Sequence, residues 1–504
     1  MKKSLIFLNL LFFLSCSENL LDTANNLPPT DFTVTVVAIN YTSATISWTP
    51  AIDPEGGVVA YSVYIKDQLI SDSISDTSYH FYDLEHNSSY SGKIIAFDPQ
   101  GRQNSSSFSF NTLIANVLDR GITLNSQDKI DEFSQNNYNI IKGDLLLGNL
   151  TGPYGIPYSD ISDLSSLESI SAVEGSIIIH YNRLLTNLNG LQNIISAGGL
   201  RLLNLESLRS IEKLQNLAQL KGNLLIREID LLESFNGLEQ LTDIDGNLEI
   251  IYNNALKDID GLNNLGEVGG NIVIRNIWYL EDIKFTNLTY VGGNFEISEN
   301  STLDEITGME NLLKIGGELK ITKTDRITGF NNLTSIGGLT LINNYVLNNI
   351  ESLQNLTVLN NLYLENNQLL ASLDFLSNIN SISGNVIIIQ NGRLENLAGL
   401  NNLKLVGVNL ELIKNYYLSD ISALTSLTTV GGSLKIHDAD GLLNLDDLKS
   451  INSVTSFSFY HNSQLTNFCG IKDYLTNHPN TEIYIQDNAY NPSKEDIISG
   501  NCSN

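Results

Sequence analysis

One octapeptide recurs down the chain and dictates what it can fold into. Gly246-Asn247-Leu248-Glu249-Ile250-Ile251-Tyr252-Asn253 has counterparts in Gly293-Asn294-Phe295-Glu296-Ile297-Ser298-Glu299-Asn300 and in Gly384-Asn385-Val386-Ile387-Ile388-Ile389-Gln390-Asn391. A second apolar block follows each copy, as in Leu256-Lys257-Asp258-Ile259-Asp260-Gly261-Leu262-Asn263-Asn264-Leu265. Aligned on Gly246, fifteen copies run from position 143 to position 481, mostly 23 or 24 residues apart. The first interval is wider and holds an insertion, Asn149 to Tyr158, with Pro153 and Pro157. A unit this short cannot bury its apolar face alone, so the copies have to stack on one another. The expected fold class is mainly β, with a parallel β-solenoid over most of the chain.

The unit's chemistry is readable position by position. Leu248 and Ile250 are two apart and point to one face, the core. Glycine, often doubled as in Gly269-Gly270 and Gly431-Gly432, suits a tight turn before the strand. The late Asn recurs at Asn182, Asn253, Asn300, Asn344, Asn367, Asn391, Asn415, Asn462 and Asn488. Stacked asparagines can satisfy the turn backbone of neighbouring rungs, which assigns these residues to the scaffold. Ile229, Ile277 and Thr324 interrupt the series. Leu333-Thr334-Ser335-Ile336-Gly337-Gly338-Leu339-Thr340-Leu341-Ile342-Asn343-Asn344 resembles a leucine-rich repeat. The Gly-Asn-Leu-x-Ile turn and Ile140-Ile141-Lys142-Gly143-Asp144-Leu145 resemble the receptor L-domain branch, known from growth-factor-receptor ectodomains and microbial surface proteins. The resemblance implies a right-handed solenoid, here residues 143–468, used for recognition rather than catalysis. At strand spacing, fifteen rungs make a sheet of roughly 65–70 Å.

The N-terminus reads as a targeting segment. Lys2 and Lys3 precede an apolar stretch, Leu5 to Leu14, too short to span a bilayer as a mature helix. Leu14-Ser15-Cys16 resembles the lipobox of bacterial lipoproteins, with Phe13 where that family usually has Leu. The resemblance implies a signal peptide over 1–15, lipid on Cys16, and attachment to the cell outer membrane through that lipid. Glu18, just past the Cys, resembles the surface-export signal of Bacteroidetes lipoproteins. Residues 16–30 are polar, end in Pro28-Pro29 and read as a flexible tether. With Cys16 so assigned, Cys469 and Cys502 remain as a pair that can close a disulfide in an oxidising compartment. Residues 469–504 would then form the last rung and C-terminal cap. Residues 113–142 read as linker and N-terminal cap, with Ser126 capping a short helix through Phe133.

Residues 31–112 carry short alternating runs. Phe32-Thr33-Val34-Thr35-Val36, Ala44-Thr45-Ile46-Ser47-Trp48 and Tyr61-Ser62-Val63-Tyr64-Ile65 read as strands, and Asp53-Pro54-Glu55-Gly56-Gly57 as a turn. The pattern resembles a fibronectin type III β-sandwich. Trp48 takes the place of its buried strand-B Trp, and Leu84 with Tyr90 matches its tyrosine corner; His86 replaces a usual Pro. The resemblance implies a spacer that lifts the solenoid off the membrane, and no Arg-Gly-Asp tripeptide is present.

Formal net charge is −28, which argues against nucleic acid as a partner, since phosphate binding needs clustered Lys and Arg. Catalytic motifs are missing: the six His are scattered, and the sequence has no zinc-protease motif, nucleophile elbow or phosphate loop. No cofactor or metal is expected; Asp438-Ala439-Asp440-Gly441 falls short of a calcium loop. Strand alternation instead turns one set of side chains outward, and they make the candidate ligand face. It comprises Arg227, Glu249, Arg275, Glu296, Lys320, Tyr363, Glu365, Glu411, Lys435, His437, Tyr460 and Tyr484. The expected function is a non-enzymatic, lipid-anchored surface protein that adheres to an extracellular protein or glycan. Two rival readings are a polysaccharide-degrading solenoid that uses Glu249 and Glu296, and a structural envelope protein.

Overall fold

A computed structural model describes residues 26–149, 158–348 and 350–504. The signal peptide, Cys16, most of the tether, and residues 150–157 of the insertion lie outside the described residues. The chain divides into two compact units between Ala115 and Asn116.

The first unit is a sandwich of two antiparallel sheets. Val34–Ile39, Ala44–Trp48 and Ser78–Phe81 form one, and Gln68–Ile74, Ala60–Ile65, Ser89–Phe97 and Gln103–Asn111 form the other. The alternating apolar residues meet between them: Ile46, Val63, Ile94 and Ala96 are fully buried. Trp48 packs edge-on against Tyr61 with ring centroids 5.4 Å apart. The Tyr90 hydroxyl accepts the Glu85 amide at 2.8 Å beside buried Leu84, so the tyrosine corner closes as its sequence spacing predicts.

The second unit is the solenoid. A typical turn contains a two-residue strand, a glycine corner, a four-residue strand and a second corner, then returns through a loop or a short 3-10 helix such as Asp260–Leu262; in Ala172–His180, Ser196–Leu203, Lys314–Thr322 and Ser335–Ile342 the two strands run on as one. The main strands pair in parallel and in register. Leu224 lies beside Leu248, Leu248 beside Ile272, and Ile272 beside Phe295. Inward residues Leu224, Ile226, Leu248, Ile250, Ile272 and Ile274 are fully buried and make one continuous core. The register also reveals a sixteenth main strand among the described residues. Ile122–Leu124 pairs with Leu145–Gly148 ahead of the first copy read from the sequence, so the expected linker already contributes a rung.

Asparagine holds the turns together at three places, of which sequence reading found one. At the second corner, the Asn253 amide donates to Ile226 O at 2.9 Å while its carbonyl accepts the Ile229 amide at 3.1 Å. Asn300, Asn344, Asn367, Asn391, Asn415, Asn462 and Asn488 each donate to the equivalent carbonyl, at 2.7–3.2 Å. Ile229, Ile277 and Thr324 interrupt the ladder of side chains, though each still gives its own N–H to the next rung's Asn. A second ladder occupies the glycine corner, where Asn223, Asn247, Asn271 and Asn294 each accept an amide from the following rung at 2.7–2.8 Å. The third lies on the far side. Asn216, Asn264, Asn311, Asn332, Asn355, Asn378 and Asn402 donate to carbonyls one turn back at 2.6–2.8 Å.

The corner glycines serve a different purpose from the turn expected of them. A Cβ on Gly270 would stand 2.3 Å from Asn247 Oδ1, and one on Gly293 2.2 Å from Asn271 Oδ1. Each glycine thus clears room for its neighbour's ladder side chain. The left-handed backbone falls at the other corner. Tyr252, Glu299, Gln390 and Lys414 have φ of 56–57° just before a buried Asn, and Glu228 and Lys323 have the same just before Ile229 and Thr324.

Both ends are covered. The helix Gln127–Ser134 is capped by Ser126 and buries Ile130 and Phe133 against the first rungs. At the far end, Lys472–Asn477 forms a helix between the last two main strands, Lys494–Ser499 follows the last of them, and Cys469 and Cys502 form a disulfide across 33 residues.

Two stability measurements check this account. Asn391→Ala strands the Asn367 amide and Leu364 O inside the molecule, so urea unfolding should register a loss of about 2–5 kcal/mol. Asn402→Ala removes an exposed bond and should cost less than about 1 kcal/mol. Equal losses at the two sites would refute the distinction. Cys469→Ser/Cys502→Ser should cost roughly 3–4 kcal/mol, from loop closure.

Candidate functional site

The outward side of the main strands carries two columns of side chains. One runs through Leu225, Glu249, Val273, Glu296, Lys320, Thr340, Tyr363, Ile387, Glu411, Lys435, Ser458 and Tyr484. The other runs through Arg227, Ile251, Arg275, Ser298, and later Glu365, Ile389, Ile413, His437 and Tyr460. All twelve candidate residues fall in these columns, because the two-residue alternation of a strand leaves them no other direction. Not every outward position is open, however. Ile251, between Arg227 and Arg275, is 6% exposed, and Ser298 is 4% exposed.

The columns fall into local groups. Glu296 accepts from Ser298 Oγ at 2.7 Å and from Lys320 Nζ at 3.2 Å. Burial pushes its pKa up, but the Ser298 hydrogen bond, Lys320 and Arg275 outweigh that and hold the carboxyl below its ordinary value. Tyr363 donates to Glu365 at 2.6 Å, and this bond, with burial and the carboxylate charge, raises the phenol to about 12. Half-buried Ile387, Ile389 and Ile413 make an apolar stretch beyond it. Next come Lys435 on Glu411 at 2.9 Å, and His437 Nε2 on Ser458 Oγ at 2.8 Å. The His437 ring meets Tyr460 edge-on with centroids 4.9 Å apart. Tyr484, half exposed, donates to Glu482 at 3.0 Å. Arg227 pairs with Glu228 at 2.8 Å. Pairs this exposed add little stability; they fix side-chain positions. Such a face can grip a ligand with rings and hydrogen-bonding groups already held in place.

Among the described residues, no group of three or more His, Cys, Asp or Glu is placed to hold a metal ion. No described helix is long and apolar enough to cross a membrane.

Strand alternation says nothing about loops, and there the structure adds residues the sequence reading passed over. Trp278, Tyr279, Tyr345, Tyr416 and Tyr417 lie just past the second corner and are 46–64% exposed. Their shared place in the repeat was a usable signal.

His437 offers a test by pH. Burial lowers its pKa, Lys435 lowers it further, and Asp438 and Glu411 oppose. The folded chain therefore resists protonating a group that the unfolded chain protonates near its ordinary value. The stabilisation is whole above that value and is lost as pH falls through the lower folded pKa. An NMR titration should place the His437 imidazole below free histidine, and His437→Gln should flatten the decline of stability in that range. A midpoint at or above the free value would contradict the geometry.

Residues 27–112 match the family of the fibronectin type III domain. No curated protein matches the chain. Among solved structures, one described as "Myokine structure" is 26% identical; the match covers 18% of this chain and 99% of that one, with a TM-score of 0.14. With its two sheets and its closed tyrosine corner, the small unit is a fibronectin type III domain.

Proposed function

We propose that the chain is a non-catalytic binding protein of the cell surface. It is held to the outer membrane by lipid on Cys16 and recognises an extracellular glycan or protein with the outward face of its solenoid. The fibronectin type III domain acts as the spacer. The observation that carries this reading is the unbroken parallel sheet, whose outward columns hold rings and ion pairs in fixed positions. The resemblance of the repeats to leucine-rich and receptor L-domain units agrees with it, because such sheets serve long, extended partners.

The rival hydrolase needs a carboxylic acid that stays protonated to donate to the leaving oxygen. Glu249 and Glu296 do share a column two rungs apart, about 9–10 Å at strand spacing. Ser298 and Lys320 favour the ionised form of Glu296, which fits it only for the base of such a pair, and the separation lies at the upper edge of what an inverting pair spans. This favours binding over turnover.

The test is a screen of the purified full-length protein on arrays of glycans and of surface proteins. Tyr363→Ala/Tyr460→Ala/Tyr484→Ala should weaken a hit by roughly tenfold or more, since buried aromatic anchors dominate such interfaces. A hit that survives this variant unchanged would place the ligand off the sheet face. Reducing ends released from a polysaccharide, and abolished by Glu249→Gln, would establish the enzyme instead.

A further inference from the structure

The exposed rings beyond the second corner follow a rule of their own. Trp278, Tyr345 and Tyr416 occupy the same position in their repeats, next after Ile277, Asn344 and Asn415 of the buried column. The strand register sets the second three rungs after the first, and the third three rungs after the second. At strand spacing that is a stride of about 14 Å. Trp278 is 60% exposed, Tyr345 51% and Tyr416 46%. Tyr279 and Tyr417, the residues that follow, are 60% and 64% exposed. Among the described residues, none of these five rings meets another ring or makes a side-chain hydrogen bond. In the intervening rungs the same position carries Ser301, Asp325, Gln368 and Gly392, so the rings form separate stations rather than one apolar patch.

A cavity of about 300 Å³ adjoins the first station, lined by Asp230, Glu233, Asn254, Ala255, Lys257 and Tyr279. Its polar groups are held in place. Asn254 Nδ2 donates to Asp230 at 2.9 Å, and Lys257 meets Glu233 at 2.7 Å. Asn254 Oδ1 is buried and has no hydrogen-bond partner among the described residues. An open aromatic face beside fixed carboxylate, amide and ammonium groups suits a ring with one apolar side and a rim of hydroxyls.

We propose that this loop edge is a docking track for a neutral, linear polysaccharide laid along the solenoid axis. Its sugar rings would stack on Trp278, Tyr345 and Tyr416, with one residue seated in the cavity beside Tyr279. Periodicity selects the ligand class: like stations at equal intervals match a polymer that repeats itself, and a folded protein offers no such period. Charge selects within the class. Two carboxylates against one lysine line the cavity, and the whole chain carries −28, so anionic glycans are repelled. The track is a different surface from the sheet face and does not depend on that face binding anything.

The chain supplies its own reporter. Of its two tryptophans, Trp48 is buried in the small domain and Trp278 stands in the open. Full-length protein is titrated with linear glucan, mannan and xylan oligomers of increasing length, and with a polyuronate. A neutral oligomer should shift the emission of Trp278 and shield it from iodide. Affinity should rise with length once an oligomer bridges two stations. Trp278→Ala/Tyr345→Ala/Tyr416→Ala should weaken binding more than tenfold, while Tyr345→Phe/Tyr416→Phe, which keeps the rings, should stay within about threefold. The sheet variant Tyr363→Ala/Tyr460→Ala/Tyr484→Ala should leave this binding intact, so the two surfaces fail independently. The proposal is overturned if no neutral oligomer binds, if the polyuronate binds better, if the triple alanine variant binds as well as the parent, or if these rings prove to hold a protein instead.

Discussion

Every turn of a solenoid bends the backbone at corners where amides and carbonyls lose their ladder partners, and water cannot reach those that face inward. Asparagine answers this need because one short side chain both donates and accepts. Asn391 shows the economy of the arrangement. Its amide donates to Leu364 O, its carbonyl accepts the Asn367 amide, and its own N–H goes on to Asn415. The rest of the repeat is arranged around such bonds. The left-handed residue before each buried Asn turns that side chain inward. That conformation costs a non-glycine residue about 1 kcal/mol or more, and a net hydrogen bond contributes a similar amount. Corner glycines exist because the ladder side chain of the preceding rung lies where a Cβ would go.

This dependence explains what the sequence disclosed and what it concealed. The buried ladder was legible because it recurs at a fixed place beside alternating apolar residues. The ladder at the glycine corner was in plain view as Gly-Asn, yet it reads as turn chemistry until the Asn247 carbonyl is seen to accept the Asn271 amide. The third ladder sits among exposed polar residues, where composition gives no hint that Asn264 bonds a carbonyl one turn back. The strand at Ile122–Leu124 escaped notice for a related reason. Gln127 stands where the other rungs place the buried Asn. The chain passes there into a helix, and the Gln127 amide is met by Asp160.

The candidate face was legible in direction only. Alternation says that Tyr363 and Glu365 point outward; it cannot say that the phenol donates to the carboxylate, or that outward Ile251 is nearly closed to water. Those outcomes depend on side-chain length along the column, across rungs separated by a full repeat in sequence. The exposed rings of the loop edge were hidden more simply. A strand-based reading attends to positions that a period of two can sort, and loop positions lie outside its reach. They become visible when the repeat itself is the frame, since Trp278, Tyr345 and Tyr416 then share one address.

The same division sets what this fold can vary. Inward positions answer to the core and corner positions to the ladders, so substitution at either disturbs neighbouring rungs at once. Outward strand positions and the loop residues past the second corner answer to neither. Ser301 and Gln368 occupy the address of Trp278 without disturbing the register of the strands beside them. A ring kept at such a place, open to water and with no ring contact or side-chain hydrogen bond among the described residues, contributes little to holding the solenoid together. Its cost is exposure of apolar surface, and a ligand that covers it removes that cost. Rigidity makes the exchange favourable, because rings carried on a stacked backbone lose little further freedom when a partner lies across them.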